Sequence, residues 1–103
     1  MTPSGTIPTD EQYAAAREFV ITRQRRSGRK LAQCDPDIRT AFEAWSQLVD
    51  KGLARTRVAL NEGDLGAAAR SWAVVIEAVS AWVTDDDFPA SLYADAYANR
   101  YGG

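Results

Sequence analysis

Midway through the chain, Asn61-Glu62-Gly63-Asp64 sets a glycine that can close one helix directly before an aspartate that can open the next. Apolar residues recur at helical spacing on both sides of it. Before the turn, Ile38, Ala41, Phe42, Trp45, Leu48, Val49, Gly52, Leu53, Thr56 and Leu60 follow at three- and four-residue steps as one stripe. After it, Leu65, Ala68, Trp72, Val75, Ile76, Val79, Trp82 and Val83 make a wider apolar surface, interrupted by Arg70, Ser71, Glu77 and Ser80. Two long helices joined by so short a turn pack antiparallel, and so wide a surface has to be covered on more than one side. The chain is therefore expected to be all-α: a small helical bundle built on an antiparallel hairpin of helices at about 36–61 and 65–84, with Trp72, Val75, Ile76 and Val79 buried.

The flanking segments predict two more helices. In Pro8-Thr9-Asp10-Glu11-Gln12, Thr9 can cap a helix while Gln12 reaches back to complete a capping box, and the two acids favour the positive end of the helix dipole. That helix is expected over about 10–26, stopped by Ser27-Gly28. Asp35-Pro36 then starts the second helix, since Asp caps and Pro suits the first helical position. Asp85-Asp86-Asp87-Phe88-Pro89 breaks the chain before a shorter C-terminal helix at about 90–100, on which Tyr93, Tyr97 and Tyr101 recur every fourth residue. Residues 1–8 lack the basic and apolar regions of a secretory signal and are expected to be a disordered lead-in to a single domain, 9–103. Gly52 lies on the stripe itself, where it either admits a close neighbour or bends the helix.

Composition then removes whole classes of chemistry. The 103 residues include no histidine and one cysteine, Cys34, so neither a Cys/His metal cluster nor a histidine-based catalytic triad can be assembled. No glycine-rich phosphate loop is present. No catalytic, cofactor-binding or metal-binding residue is expected, and the chain is not expected to be an enzyme. A lone cysteine cannot staple the fold, which makes helix packing the source of stability and the cytoplasm the expected compartment. The apolar window Leu65 to Val83 contains Arg70 and Glu77, which a membrane span would have to bury, so no membrane partner is expected. Arginine far outnumbers lysine beside abundant alanine, a bias of GC-rich bacterial genomes and of phages that infect such hosts.

Charge is uneven. Basic residues exceed acidic ones over 1–34, and the reverse holds over 35–103, within a net charge of -2. The excess is concentrated in Arg23, Arg25, Arg26, Arg29 and Lys30, a candidate contact for nucleic acid or for an acidic partner, and of these Arg25, Arg26 and Arg29 are expected to be solvent-exposed. A sequence pI near 5.0 weighs against a dedicated nucleic-acid protein. Asp85, Asp86 and Asp87 could hold a hard cation, but capping of the last helix is the expected role, because adjacent loop carboxylates point in different directions. Phe42, Trp45, Leu53, Tyr93, Tyr97 and Tyr101 form a candidate partner surface. For the tyrosines, packing of the rings onto the bundle with the hydroxyls at the water boundary is the expected arrangement, and an exposed stacking face the alternative.

Asn61-Glu62-Gly63-Asp64-Leu65 with Ala68 resembles the inter-helix turn of a tetratricopeptide repeat. The likeness ends at the turn, since Arg55 or Thr56 stands where the repeat has a small residue and no second copy follows. Arg17 to Gln33 resembles the opening of a helix-turn-helix repressor, but only Arg29 and Lys30 separate Gly28 from Leu31, and Asp35-Pro36 breaks any recognition helix. By elimination, the expected function is non-enzymatic: a small adaptor, inhibitor or regulatory subunit acting by protein-protein contact. A nucleic-acid-associated regulator using Arg23 to Lys30 is the second reading, and a helical small-ligand-binding domain with a pocket around Trp72 and Trp82 the third. The Ile38 to Leu60 stripe is expected to overhang its neighbours, with a twofold homodimer as the way to cover it.

Overall fold

The computed structural model describes residues 7–31 and 33–102, with Arg29 described by its backbone alone. Among the described residues four helices follow in order: α1 (Asp10–Leu31), α2 (Pro36–Glu62), α3 (Leu65–Val79) and α4 (Ala90–Tyr101), with a 3₁₀ turn at Ser80–Trp82. The described residues include no strand, and the architecture is the expected all-α bundle. Of the expected lead-in, residues 1–6 lie outside the described residues, whereas Pro8 is buried.

The capping box at the start of α1 is formed in both directions. The Gln12 amide donates to Thr9 Oγ1 at 3.1 Å, and the Thr9 amide donates to Gln12 Oε1 at 3.0 Å. The far end of α1 differs from expectation: the helix passes through Ser27-Gly28 and continues to Leu31. A glycine stops a helix by taking up a left-handed conformation, and among the described residues only Gly63 has a positive φ. Gly28 stays helical because nothing draws the chain aside there.

α2 begins with Asp35 accepting from the Asp37 amide at 2.8 Å and Pro36 in the first turn. It ends at Gly63, φ 73°, where the Gly63 amide donates to Leu60 O at 3.2 Å and the Asp64 amide to Ala59 O at 2.9 Å. This paired closure is a Schellman motif, and Asp64 at once caps α3 by accepting from the Ala67 amide at 3.1 Å. The chain so reversed packs α3 along α2. Gly52 is what lets the two axes approach: a Cβ built there would stand 3.0 Å from Val75 Cγ2 and 3.6 Å from Ser71 O. Of the two roles open to it, the structure shows the close approach.

α3 ends at Val79, several residues short of the expected Thr84. Ser80 Oγ donates to Glu77 O at 2.7 Å, a local bond that competes with the helix, and the chain tightens into the 3₁₀ turn closed by the Val83 amide on Ser80 O at 3.2 Å. The tighter turn buries Val83 and brings Trp82 edge-on to Trp45, ring centroids 4.7 Å apart. α1 runs antiparallel to α2: the Tyr13 hydroxyl donates to Leu53 O at 2.9 Å near one end, and Gln24 Nε2 to Ser46 Oγ at 2.9 Å nearer the other. α4 packs on α3 and α1 through Leu92 and Ala96, and Phe88 just before it meets Phe19 at 5.3 Å. The core so closed is centred on α3, with Trp72, Val75, Ile76 and Val79 all buried as expected.

Candidate interaction surface

The basic segment divides in two. Arg23 turns inward, its side chain only 16% exposed, and donates to Asp85 Oδ2 at 2.6 Å while Asp87 Oδ1 lies 3.4 Å away. Its guanidinium also sits over the Phe19 and Trp82 rings, 5.2 and 5.4 Å from their centroids. Arg23 was a candidate contact for nucleic acid or an acidic partner, and this is a correction: helix α1 runs alongside the loop after α3, and the arginine fastens the two. Arg26 reaches the same loop, Nη1 to Asp87 Oδ2 at 2.9 Å, from an exposed position. Arg25 and Lys30 are exposed and form no ion pair among the described residues. The Arg29 side chain lies outside the described residues.

The aspartates are explained by the same contacts. α4 takes Pro89 as its N-cap residue and has no side-chain cap, so the capping role expected of Asp85 to Asp87 is not what the structure shows. Asp85 and Asp87 instead neutralise Arg23 and Arg26. Among the described residues no cluster of acidic or cysteine side chains is arranged to hold a metal ion. Nor is any described helix long and apolar enough to cross a membrane.

The candidate partner surface also separates into parts. Leu53, 6% exposed, belongs to the core between α1 and α2 and is not available as a contact. Trp45 is half-buried, its indole donating to Ala78 O at 3.0 Å and its ring held between Phe42, at 5.3 Å, and Trp82. These two tryptophans are packing residues that join α2 to the end of α3. Trp72 stacks on Tyr13 at 6.4 Å within the core. The three tyrosines of α4 lie elsewhere, and they are not packed onto the bundle as expected.

Tyr93, Tyr97 and Tyr101 are 48%, 46% and 53% exposed. Their rings rest on one another, centroids 5.6 Å apart for Tyr93 and Tyr97 and 4.8 Å for Tyr97 and Tyr101, with the Arg100 guanidinium over the last ring at 5.7 Å. Spacing explains the geometry. Residues four apart stand one above another on a helix, and Leu92 and Ala96, one position earlier in each turn, take the core-facing stripe. The tyrosines are thereby turned to the flank, where each ring finds the next ring and water. The result is a continuous aromatic strip, rigid in two torsions per residue and bearing three hydroxyls that can donate and accept.

No family model, curated protein or solved structure matches this chain.

Proposed function

We propose that the chain is a non-enzymatic interaction domain, an adaptor, inhibitor or regulatory subunit, that docks a protein partner through the tyrosine strip of α4. The observation that carries this is the half-exposure of all three stacked rings on a helix whose other side is buried. Tyrosine supplies large, rigid, amphipathic contact area at small entropic cost, which is why protein interfaces are enriched in it. The absence of histidine and the use of two of the loop's three carboxylates, Asp85 and Asp87, in ion pairs support a role in contact over one in chemistry. The test is retention of proteins from the source cell on the wild-type chain beside the triple variant Tyr93→Ala, Tyr97→Ala, Tyr101→Ala. Binding that the wild type shows and the folded variant loses is the expected result; equal retention by both chains refutes it.

A second copy of the chain is favoured as a partner by a different observation. From Pro36 to Ala44 every residue of α2 except Phe42 is exposed, and Ile38 and Leu48 are 56% and 55% exposed. So exposed a start to α2 offers apolar side chains that a second copy can cover. Light scattering over a hundredfold range of concentration is expected to show a mass rising towards twice 11.3 kDa. A constant mass of 11.3 kDa excludes the homodimer. Nucleic-acid binding through Arg23 to Lys30 is left with fewer free cations than the sequence offered, because Arg23 and Arg26 are already paired.

A further inference from the structure

A second surface lies on α2 and α3. Along the seam of the α2–α3 hairpin runs a cleft of about 320 Å³ lined by Leu48, Lys51, Arg55, Ala67, Arg70 and Val74, with Gly52 and Ser71 as its floor. The floor residues carry little side chain, and Gly52 admits α3 closely there. Three cations stand around it. Lys51 and Arg55 are one helical turn apart on the α2 wall, Arg70 is on the α3 wall, and all three are exposed. None of them forms an ion pair among the described residues, whereas Arg23 and Arg26 do. The acids nearest the cleft, Glu62 and Asp64, line its continuation towards the hairpin turn with Val58, and Asp64 Oδ1 is already occupied by the Ala67 amide.

We infer that this cleft binds an acidic amphipathic helix of a partner protein, with apolar side chains seated against Leu48 and Val74 and carboxylates on its flanks meeting Lys51, Arg55 and Arg70. The groove between two antiparallel helices is the natural seat for the ridge of a third. Its charge is of one sign, in a protein whose net charge is -2, so the attraction is local and the complement has to be acidic. Half of the lining is apolar or small, which suits leucine-like side chains and leaves a phosphate chain with only three cations to engage. The inference does not rest on the tyrosine strip, which is on α4.

The experiment uses the full chain and a short fluorescein-labelled helical peptide with leucines at three- and four-residue steps and glutamates on both flanks, read by polarisation. Control probes are the same peptide with lysine for glutamate, the same peptide with alanine for leucine, and a single-stranded oligo-dT. The acidic leucine peptide is expected to bind at least about tenfold more tightly than each control, and to weaken as salt is raised. Lys51→Gln, Arg55→Gln and Arg70→Gln together are expected to weaken it about tenfold, while Arg25→Gln with Lys30→Gln leaves it unchanged. On the wild type, its addition is expected to shift the NMR amide signals of Gly52, Ala67 and Ser71 and not those of Tyr93 or Tyr97. Equal binding of the lysine or the alanine peptide, tighter binding of oligo-dT, or perturbation confined to α4 would each overturn the inference.

Discussion

Two glycines of helical backbone show how far a single residue's meaning depends on what stands opposite it. Gly28 has no atom within 4 Å of where a Cβ would be, whereas Gly52 meets Val75 Cγ2 at 3.0 Å. Gly28→Ala is therefore expected to raise stability by about 0.5–1 kcal/mol, the cost of glycine in a helix interior. Gly52→Leu is expected to lower it by about 1–3 kcal/mol as the hairpin is forced apart. Thermal melts of the two variants check both signs. The arginines make a parallel contrast. Arg23→Ala breaks the contacts with Asp85 and Asp87 and with two aromatic rings, and is expected to cost about 1–3 kcal/mol, while Arg25→Ala falls within about 0.5 kcal/mol of the wild type. Equal losses in urea unfolding would show that the Arg23 contacts do not hold the fold. Helical spacing separates these two arginines, since Arg23 follows Val20 by three residues and Ala16 by seven on the buried face and Arg25 does not, but the loop that receives Arg23, some sixty residues further on, is not legible locally.

At the scale of elements, the most legible parts were those whose determinants are adjacent in sequence. Thr9 and Gln12, Asp35 and Pro36, and Gly63 and Asp64 each combine to start or stop a helix by bonds to their own neighbours, and each does so in the structure. Asp64→Ala removes the bond to the Ala67 amide and is expected to cost about 0.5–2 kcal/mol, measured as a lowered urea midpoint with an unchanged slope. The two boundaries read differently from sequence, after Gly28 and after Val79, depend on the conformation a residue adopts, and residue type alone leaves that open. Gly28 remains helical, and Ser80 turns its hydroxyl back on Glu77 O. The three aspartates were assigned to the helix that follows them, but Asp85 and Asp87 find their partners on α1, a tertiary choice that capping rules do not contain.

For the whole molecule, the surfaces left over after folding carry the functional account. The helical period identified the central buried residues of α2 and α3, but on α4 the rings were expected against the bundle where Leu92 and Ala96 are the buried residues, and Ile38, Leu48 and Leu65 of the expected stripes stay bare. Leu53 and Trp45 were absorbed by neighbours, whereas the tyrosines stayed outside because Leu92 and Ala96 fill the space between α4 and α3. Lys51, Arg55 and Arg70 were not read as a group in the sequence because they are scattered along it. The signal was their position, with Arg55 and Arg70 about equally far before and after Gly63, so that the hairpin sets them on facing walls. The central claim, that the α4 tyrosines serve contact and are spare for folding, is tested most directly by urea unfolding of two variants of that one helix. Tyr93→Ala, Tyr97→Ala and Tyr101→Ala together are expected to cost less than about 2 kcal/mol, and Leu92→Ala alone about 2–5 kcal/mol. A triple variant that loses as much stability as Leu92→Ala, or more, would show the strip to be part of the fold and contradict the account.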